Sequence, residues 1–406
     1  MLHVSYLAEL AVRLAAGTAA LPEDQRARHA AFLAAAQRPD GGFAGRQGES
    51  DPYYTAFGLR AMALLGSLSS PLPGTTRSVV AAGTTKWSVP GVRAAGTTGV
   101  SPPPQAAGTT GVSPLPQAGE GPGVRAVRFL KTALAPPTSN LQPPTSALQP
   151  STSNTPAAGT TGVSPLPQAG EGPGVRAVRI LSSVDFLSAL AAGLLIETLC
   201  GIDVFAPIAL DPRDALLHWA ERHRRPDGGY AKTLRSGPSS TYHTFLMVAT
   251  LDAFGLESQE PGLLRQLLLG RQRPDGGFVE LDVLRHSGVS PTAAAVAALR
   301  IVGGLDESSS VAAAGFLAAA QTPDGGLRAN AQAPVADLLS TFTGLTALAD
   351  LAAPTTIDRA AAGRFVAGLE APQGGFRAAA WDTERDVEYT FYGLGCLALL
   401  QENCEV

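Results

Sequence analysis

The chain has few cysteines, no long hydrophobic run and no early basic segment. Its three cysteines, Cys200, Cys396 and Cys404, share no metal-binding spacing, so neither a disulfide framework nor a zinc ribbon is indicated. No uninterrupted apolar stretch reaches the length of about 18 residues that a transmembrane helix needs. An acid at Glu9, without a preceding basic region, argues against a secretory signal, so a cytoplasmic location is expected.

Charged residues are also scarce, at 16% of the 406 residues, and they are unevenly distributed. Residues 70–183 contain eight Lys or Arg and two Asp or Glu, so the rest of the chain carries −10 within the total of −4. An acidic body does not attract the phosphate backbone of a nucleic acid. Nucleic acid is therefore not expected as a partner.

A short phrase, Pro-Asp-Gly-Gly followed by an apolar residue, recurs along the chain. It ends at Phe43, Tyr230, Phe278 and Leu327, and a degraded copy, Pro-Gln-Gly-Gly, ends at Phe376. The last four copies are 48, 49 and 49 residues apart. A fixed period of this size is typical of repeat architectures, in which each unit buries its apolar face against its neighbours.

Each copy of the phrase lies between an amphipathic helix and a largely apolar one. Outer, amphipathic helices are predicted at about 26–37, 213–223, 261–272, 308–321 and 357–370. Inner, apolar helices are predicted at about 3–16, 53–66, 184–200, 240–255, 289–303, 337–350 and 386–400. The pattern predicts an all-α fold, an α/α toroid of about six helical hairpins in two concentric rings, with an open solenoid as the alternative. A closed ring is favoured because an open solenoid would expose the apolar faces of its terminal inner helices to water.

Residues 70–183 interrupt the repeats and divide the toroid into a first part, 1–69, and a remainder, 184–406. They hold 18 of the 32 prolines, and residues 106–128 recur letter for letter at 157–179. A segment rich in Pro, Gly, Ser and Thr cannot bury enough apolar area to order its backbone. We predict a long disordered, low-complexity insertion, with a proline-rich docking segment as the alternative.

The order of outer helix, Gln-x-Pro-Asp-Gly-Gly-Phe, acidic loop and aromatic inner helix resembles the β subunits of protein prenyltransferases, most closely the Rab geranylgeranyltransferase type. It is also similar to the related squalene and terpene cyclase toroids. The best match runs over residues 35–65, and the resemblance covers about 1–68 and 184–400. It implies an isoprenoid diphosphate substrate, an α-subunit-like protein partner and a zinc ion that activates a substrate thiol.

In that family the zinc ligands are an Asp and a Cys two residues apart at the start of one inner helix, and a His on the next. These positions fall on Asp337, Leu339 and Tyr389. Leucine offers no lone pair, and a neutral phenol is a poor zinc ligand. We therefore predict no metal site of the family type and name no cofactor. Asp337, Asp386 and Tyr389 are the predicted polar groups at the reaction end.

The resemblance also implies a diphosphate site, built from a His in a His-small-Gly sequence and from an Arg and a Lys in the following loop. His286, followed by Ser-Gly, matches the first element, but the cationic positions fall near Asn330 and Ala333. Solvated loop charges are the simpler interpretation of the other cations on this rim. The candidates to replace the missing pair are Arg285, Lys232 and Arg235.

Aromatic residues are predicted near the loop ends of the inner helices. They are Tyr53, Tyr54, Phe57, Phe186, Tyr242, Phe245, Phe342, Tyr389, Phe391 and Tyr392. The lining of a polyisoprene tunnel and ordinary core packing would both produce this stripe. Tyr242, Phe342 and His243 are candidate substrate-binding residues, although a hydrogen-bonded structural histidine is the alternative for His243.

A cyclase needs an acid that protonates an alkene or epoxide, for which related cyclases use an Asp-x-Asp-Asp cluster. That cluster is absent here. The segment from Asp382 to Glu388 is acidic, and we interpret it as a loop whose acids face solvent near a helix N-terminus. The first hypothesis is thus an isoprenoid-binding, prenyltransferase-like transferase with an altered site. The second is a non-catalytic toroid used for binding or as a scaffold, and the third is a terpene or squalene cyclase.

Overall fold

The computed structural model describes residues 4–68, 212–234 and 237–401. The predicted insertion at 70–183 and the predicted inner helix at 184–200 lie outside the described residues. Within the described ranges the chain forms eleven α-helices and a single two-stranded sheet. None of these helices combines the length and the apolar character needed to cross a membrane.

The helices fall into an outer and an inner set that together form an α/α toroid, as predicted. The outer helices are α2 (Glu23–Ala36), α4 (Pro212–His223), α6 (Pro261–Gly270), α8 (Glu307–Ala319) and α10 (Arg359–Leu369). The inner helices are α1 (Tyr6–Ala19), α3 (Pro52–Leu64), α5 (Thr241–Ala253), α7 (Val289–Ile301), α9 (Leu338–Asp350) and α11 (Val387–Gln401). In the antiparallel sheet, β1 (Phe376–Arg377) pairs with β2 (Arg385–Asp386), and Phe376 lies opposite Asp386.

The inner helices α5, α7, α9, α11 and α3 pack side by side in that order, and the outer helices pack around them. Helix α11 buries every residue from Thr390 to Leu399, as expected for a helix that is apolar nearly all round. Helix α1 contacts α11, α3 and α5. It therefore links the two ends of the row of inner helices.

Helix α1 crosses the end of the ring at which the other inner helices finish. The Tyr6 phenol donates to Asp350 of α9 at 2.7 Å, and the Tyr6 amide donates to Asp252 of α5 at 2.7 Å. Arg300, near the end of α7, forms an ion pair with Glu9 of α1 at 2.9 Å. Helix α1 thus covers this end of the ring, opposite to the end at which the Gly-Gly turns lead into the inner helices.

The two glycines of the repeated turn serve different purposes. The first has a positive φ, 88° at Gly276, which side chains with a Cβ rarely adopt. At the second, Gly277, a Cβ would lie 2.5 Å from the Ser287 side chain and 2.8 Å from the Phe316 ring. The Asp275 carboxylate accepts the Gly277 amide at 3.1 Å and closes the turn. One glycine is required by backbone conformation and the next by close packing.

A buried threonine joins each turn to the inner helix that follows it. The amide after the Gly-Gly pair donates to the threonine hydroxyl, at 2.9 Å from Phe278 to Thr292. The same bond, at 3.0 to 3.3 Å, joins Phe43 to Thr55, Tyr230 to Thr244, Leu327 to Thr341 and Phe376 to Thr390. All five threonines are 0% exposed. The bond fixes the position of each inner helix relative to its turn.

Candidate functional site

Aromatic side chains from four inner helices gather at the loop end of the ring, and we call this group the aromatic chamber. Its members are Tyr53 and Phe57 of α3, Tyr242 of α5, Phe342 of α9, and Phe391 and Tyr392 of α11. The Phe57 ring contacts Tyr392 and Phe391 edge-on, with centroids 5.4 and 5.6 Å apart. The Phe342 ring stacks on Tyr392 at 5.2 Å. Tyr53 and Tyr242 keep partial exposure on inner helices, so the group borders a space that water can reach.

Glu388, in the first turn of α11, is the acid of the aromatic chamber. Its Oε1 accepts hydrogen bonds from the phenols of Tyr53 at 2.9 Å and Tyr392 at 3.0 Å. Its Oε2 accepts none from a described residue. Burial raises the pKa of Glu388, and Asp386 adds to the rise, against the opposing effect of the two phenol hydrogen bonds and of Arg60. The carboxyl group therefore keeps its proton to a higher pH than an exposed glutamate does.

Tyr53 and Tyr392 act as hydrogen-bond donors to this acid. Burial raises the pKa of both phenols above the ordinary value, and Glu388 and Tyr242 raise it further. Neutral phenols donate to the carboxyl group and do not repel it. Tyr242, which lies on α5, is thus close enough to both residues to affect their pKa values.

Arg60 is the only charged residue of α3, and its side chain lies against the aromatic chamber. The guanidinium carbon is 4.5 Å from the centroid of the Phe57 ring and 4.8 Å from that of Phe391. Its Nε donates to the Ala56 carbonyl at 3.3 Å. Burial lowers the pKa of Arg60, while the nearby tyrosines and Glu388 oppose this effect. Guanidinium remains protonated in proteins, so the chamber contains a cation beside two π faces.

The acids of the segment from 382 to 388 do not all face solvent, and that prediction is wrong for Asp382, Asp386 and Glu388. Asp382 and Asp386 are 6% and 8% exposed. Arg46, from the loop of the first repeat, binds Asp382 at 3.1 Å and Asp386 at 3.0 Å. Of the four acids in this described segment, only Glu384 is exposed. The error arose because the partner of these acids is more than 300 residues away in the sequence.

Asp386 and Tyr389, two predicted catalytic residues, border the chamber. Asp386 accepts the Tyr389 amide at 2.9 Å. The Tyr389 ring lies edge-on to Tyr392, with centroids 5.9 Å apart, and the Arg46 guanidinium carbon is 5.7 Å from its centroid. Burial raises the pKa of Tyr389 to about 12, and the acids Glu388, Asp386 and Asp337 add to this. Tyr389 is therefore a neutral phenol at ordinary pH.

Asp337, the third predicted catalytic residue, caps the start of α9. Its carboxylate accepts the amide and the hydroxyl of Ser340, each at 2.7 Å. This is the usual role of an N-cap aspartate, which satisfies an amide that has no partner within the helix. Across the described part of the chain, no three His, Cys, Asp or Glu side chains converge in the manner of metal ligands.

The predicted diphosphate-binding residues lie on loops and are exposed. His286 is exposed, and its Nδ1 is 3.0 Å from Nε2 of Gln332. Arg285 and Lys232 are exposed on the loops that follow the turns of their repeats. Arg235 lies outside the described residues. A role for these cations in binding diphosphate stays a prediction.

His243 and Phe342, predicted to bind substrate, differ in their surroundings. His243 is half-buried at the start of α5, with Nδ1 2.6 Å from the Ser240 hydroxyl. Its ring lies edge-on to Tyr242, with centroids 5.4 Å apart. Phe342 is buried within the chamber, where it also contacts Phe391. His243 therefore lies beside Tyr242, and Phe342 beside Phe391, both members of the aromatic chamber.

Glu388 and Arg60 were not selected from the sequence, although a signal for both is present. Each is the only charged residue in its inner helix, α11 and α3 respectively. Burying a charge or a polar group is costly unless it is paired or has a use. A single charge in a largely apolar helix therefore marks a group that needs a partner. Asp252, Arg300 and Asp350 are equally single in their helices and find that partner in α1.

The sequence matches the family model of the prenyltransferase alpha-alpha toroid domain over residues 11–90, 193–333 and 292–406. It is also 35% identical over 97 residues to the drimenyl diphosphate synthase of Streptantibioticus cattleyicolor, across 24% of this chain and 18% of the synthase. The match therefore spans less than a fifth of that curated relative.

Two solved structures align with this chain. A variant of the type II terpene cyclase MstE from Scytonema, in complex with its substrate geranylgeranyl dihydroxybenzoate, aligns with a TM-score of 0.50 at 14% identity, covering 97% of this chain and 99% of that one. The Candida albicans protein geranylgeranyltransferase-I complexed with GGPP aligns with a TM-score of 0.47 at 15% identity, covering 53% of this chain and 66% of that one. At 14% identity the likeness to the cyclase concerns the fold alone.

Proposed function

The chain belongs to the family of prenyltransferase alpha-alpha toroid domains, and from this premise we propose that it binds a polyisoprenoid in the aromatic chamber and protonates it from Glu388. The reaction class is an acid-initiated cyclisation. The names of the cyclase and the synthase that it resembles favour such chemistry. Terpene cyclisation, third among the hypotheses drawn from the sequence, thereby becomes the first.

The observation that carries this proposal is the environment of Glu388. Two phenols bind one carboxyl oxygen, the other accepts no hydrogen bond from a described residue, and burial raises the pKa of the group. A catalytic acid works best when its pKa lies near the operating pH, and burial is the usual means of raising a carboxyl pKa. The environment suits a proton donor aimed from Oε2.

The proposed step conserves atoms and charge. The carboxyl proton is transferred to one carbon of an alkene, or to an epoxide oxygen, and leaves a carboxylate and a carbocation. A neighbouring alkene donates its π electrons to form the ring bond, and loss of a proton from another carbon ends the sequence. The phenols of Tyr53 and Tyr392 stabilise the carboxylate that forms, and aromatic faces stabilise the passing cation. The product is an isomer of the substrate.

The test is turnover in heavy water. Purified protein is incubated in D₂O with farnesyl diphosphate or geranylgeranyl diphosphate, and the products are analysed by mass spectrometry after phosphatase treatment. We expect a cyclic isomer that carries one deuterium at a carbon. The Glu388→Gln variant retains an oxygen for the two phenols and lacks the acid, so its rate should fall by roughly 100-fold or more.

Glu384→Gln is the matched control, because this glutamate lies four residues away and is exposed. It should turn over like the native chain. Equal rates in the two variants, or an absence of any cyclic product, would refute proton transfer from Glu388. Binding without turnover would instead support the hypothesis of a non-catalytic binding module.

Transfer of the isoprenoid to an acceptor, with an α-subunit-like partner, is the other function that the family implies. The altered zinc positions, at which only Asp337 is retained, make it the weaker hypothesis. Prenyl transfer and the partner stay predictions. Their tests are the release of diphosphate on addition of thiol peptides and the capture of a stoichiometric partner by the full chain.

A further inference from the structure

Arg60 carries a charge that has no ion-pair partner among the described residues. Its Nε has a carbonyl partner, but Nη1 and Nη2 form no hydrogen bond or ion pair with any described residue. The two rings of Phe57 and Phe391 flank the guanidinium group. Their π faces attract the cation, but they offer no acceptor for its N–H groups.

Glu388, the acid of the aromatic chamber, does not serve as the counter-ion of Arg60. It makes no ion pair with Arg60, and its Oε1 is occupied by the two phenols. Burial also favours the neutral form of this carboxyl group. Arg60 is half-buried, and a cation beside two aromatic faces without an ion-pair partner among the described residues is available to bind an anion. Such a residue is expected to have a ligand.

We propose that Arg60 binds an oxoanion at the head of the substrate, so that the chamber takes isoprenoids with a diphosphate or carboxylate head in preference to neutral ones. The planar guanidinium presents paired N–H groups that match the oxygens of both anions. This inference rests on the proposed function only in placing the isoprenoid in the same chamber. It assigns the head group to the interior and not to His286 on the exposed loop.

The position of Arg60 along α3 places its backbone deeper in the ring than that of Tyr53. Arg60 follows Tyr53, which binds Glu388, by seven residues, or about 10 Å along a helix axis. A ligand anchored at Arg60 would extend from the interior toward the loop end, where the acid lies. The guanidinium group turns back over Phe57, so a head bound there lies closer to Glu388 than the backbone position of Arg60 does.

The test compares three ligands that share the same isoprenoid hydrocarbon and differ in the head group. Farnesyl diphosphate, farnesoic acid and farnesol are titrated by calorimetry into the full-length native protein and into the Arg60→Met variant. We expect the native chain to bind the two anions about 10- to 100-fold more tightly than the alcohol, since hydrogen bonds to a charged group are lost with a neutral head. In Arg60→Met this preference should fall to near one, with little change in the affinity for farnesol.

Arg364→Met is the matched control, because this arginine is exposed on α10. It should keep the anion preference. If Arg60→Met fails to fold, Arg60→Lys retains the charge without the paired N–H groups, and should reduce the preference for diphosphate by roughly tenfold. An unchanged preference in a folded Arg60 variant, or an equal loss for all three ligands, would overturn the assignment.

The two proposals can fail separately. Glu388→Gln should bind the three ligands with the native order of affinity, although it does not turn them over. If Glu388→Gln loses turnover but Arg60→Met still prefers anions, the anion site is refuted and the assignment of Glu388 as the catalytic acid stands. If Arg60→Met loses the preference for anions and no protein, native or variant, turns the substrate over, the anion site is supported and proton transfer from Glu388 is refuted.

Discussion

Two glutamates four residues apart illustrate how position determines chemistry at the scale of the residue. Glu384 lies on the loop before β2 and is exposed. Glu388 lies one turn further along the chain, in α11, where Tyr53 and Tyr392 bind it and burial raises its pKa. The side chains are identical, and only the second is enclosed by other inner helices. Desolvation, and not residue type, makes it a candidate acid.

The raised pKa of Glu388 predicts a pH-dependent contribution to folding. A group with a folded pKa above its unfolded value contributes stability that is fully present below the unfolded pKa, near 4.5, and is lost as pH rises through the folded value. The native chain should therefore lose stability relative to Glu388→Gln as pH increases from about 4. Denaturant unfolding of both proteins across a pH series measures this difference.

Glu384→Gln provides the comparison for this series. It removes an exposed glutamate of the same segment, and so controls for the loss of a carboxyl group outside the aromatic chamber. A Glu388→Gln profile parallel to that of the native chain would contradict a raised pKa. It would also remove the main support for Glu388 as the catalytic acid.

At the scale of the element, the repeated threonine explains why the inner helices share one geometry. The Thr292 hydroxyl accepts the Phe278 amide and donates to the Gly288 carbonyl at 2.7 Å. The loop amide at this position is buried, so it needs a partner in the absence of water. Threonine supplies an acceptor and a donor from one side chain. Valine or alanine would supply neither the acceptor nor the donor.

Replacement of Thr292 by valine tests the bond without changing the volume of the side chain. The Phe278 amide would remain buried without an acceptor, which costs about 1–3 kcal/mol of unfolding free energy. Thr346→Val is the control, since its hydroxyl only donates to the Phe342 carbonyl within α9, at 2.9 Å. Chemical denaturation should separate the two variants by at least about 1 kcal/mol. Equal losses would mean that the loop amide finds another partner.

At the scale of the whole molecule, the ring is closed where the first repeat meets the last. Helix α2 packs on α11 as well as on α3. The His29 ring accepts the Gly375 amide at 3.0 Å and stacks on Phe376. Arg46 joins the first loop to Asp382 and Asp386 of the last repeat. We call these contacts the seam. They position Tyr53 relative to Glu388, because the two residues come from the two repeats that meet there.

Arg46→Met should open the seam. The change leaves two buried carboxylates without their cation, and we expect a loss of roughly 2–4 kcal/mol of unfolding free energy. Arg38→Met, which removes an exposed arginine from the same repeat, should cost about 0.5 kcal/mol or less. Thermal and denaturant unfolding of the full chain provide the measurement. Similar losses in the two variants would show that Arg46 does not hold the seam.

The seam also predicts the response to acid. Burial opposes ionisation of Asp382, but hydrogen bonds from Arg46 and from backbone amides outweigh it and lower its pKa. Stability from a lowered carboxyl pKa is present above the unfolded value, near 3.8, and is lost as pH falls. The difference between the native chain and Arg46→Met should therefore shrink below about pH 4. A difference that is constant down to pH 2 would contradict an ionised Asp382 at the seam.

The sequence by itself determined the local features of this protein. Helical periodicity and the spacing of the Gly-Gly turns predicted both sets of helices and the toroid, because period and turn chemistry depend on neighbouring residues. Only the tertiary structure decided which charges are buried. Glu388 meets Tyr53 across 335 residues of sequence, and Asp382 meets Arg46 across 336. Desolvation and ion pairing depend on such distant partners, so analysis of the sequence alone placed these acids in solvent. Packing of the inner helices instead brings a candidate acid, Glu388, and a candidate anion-binding cation, Arg60, into one chamber.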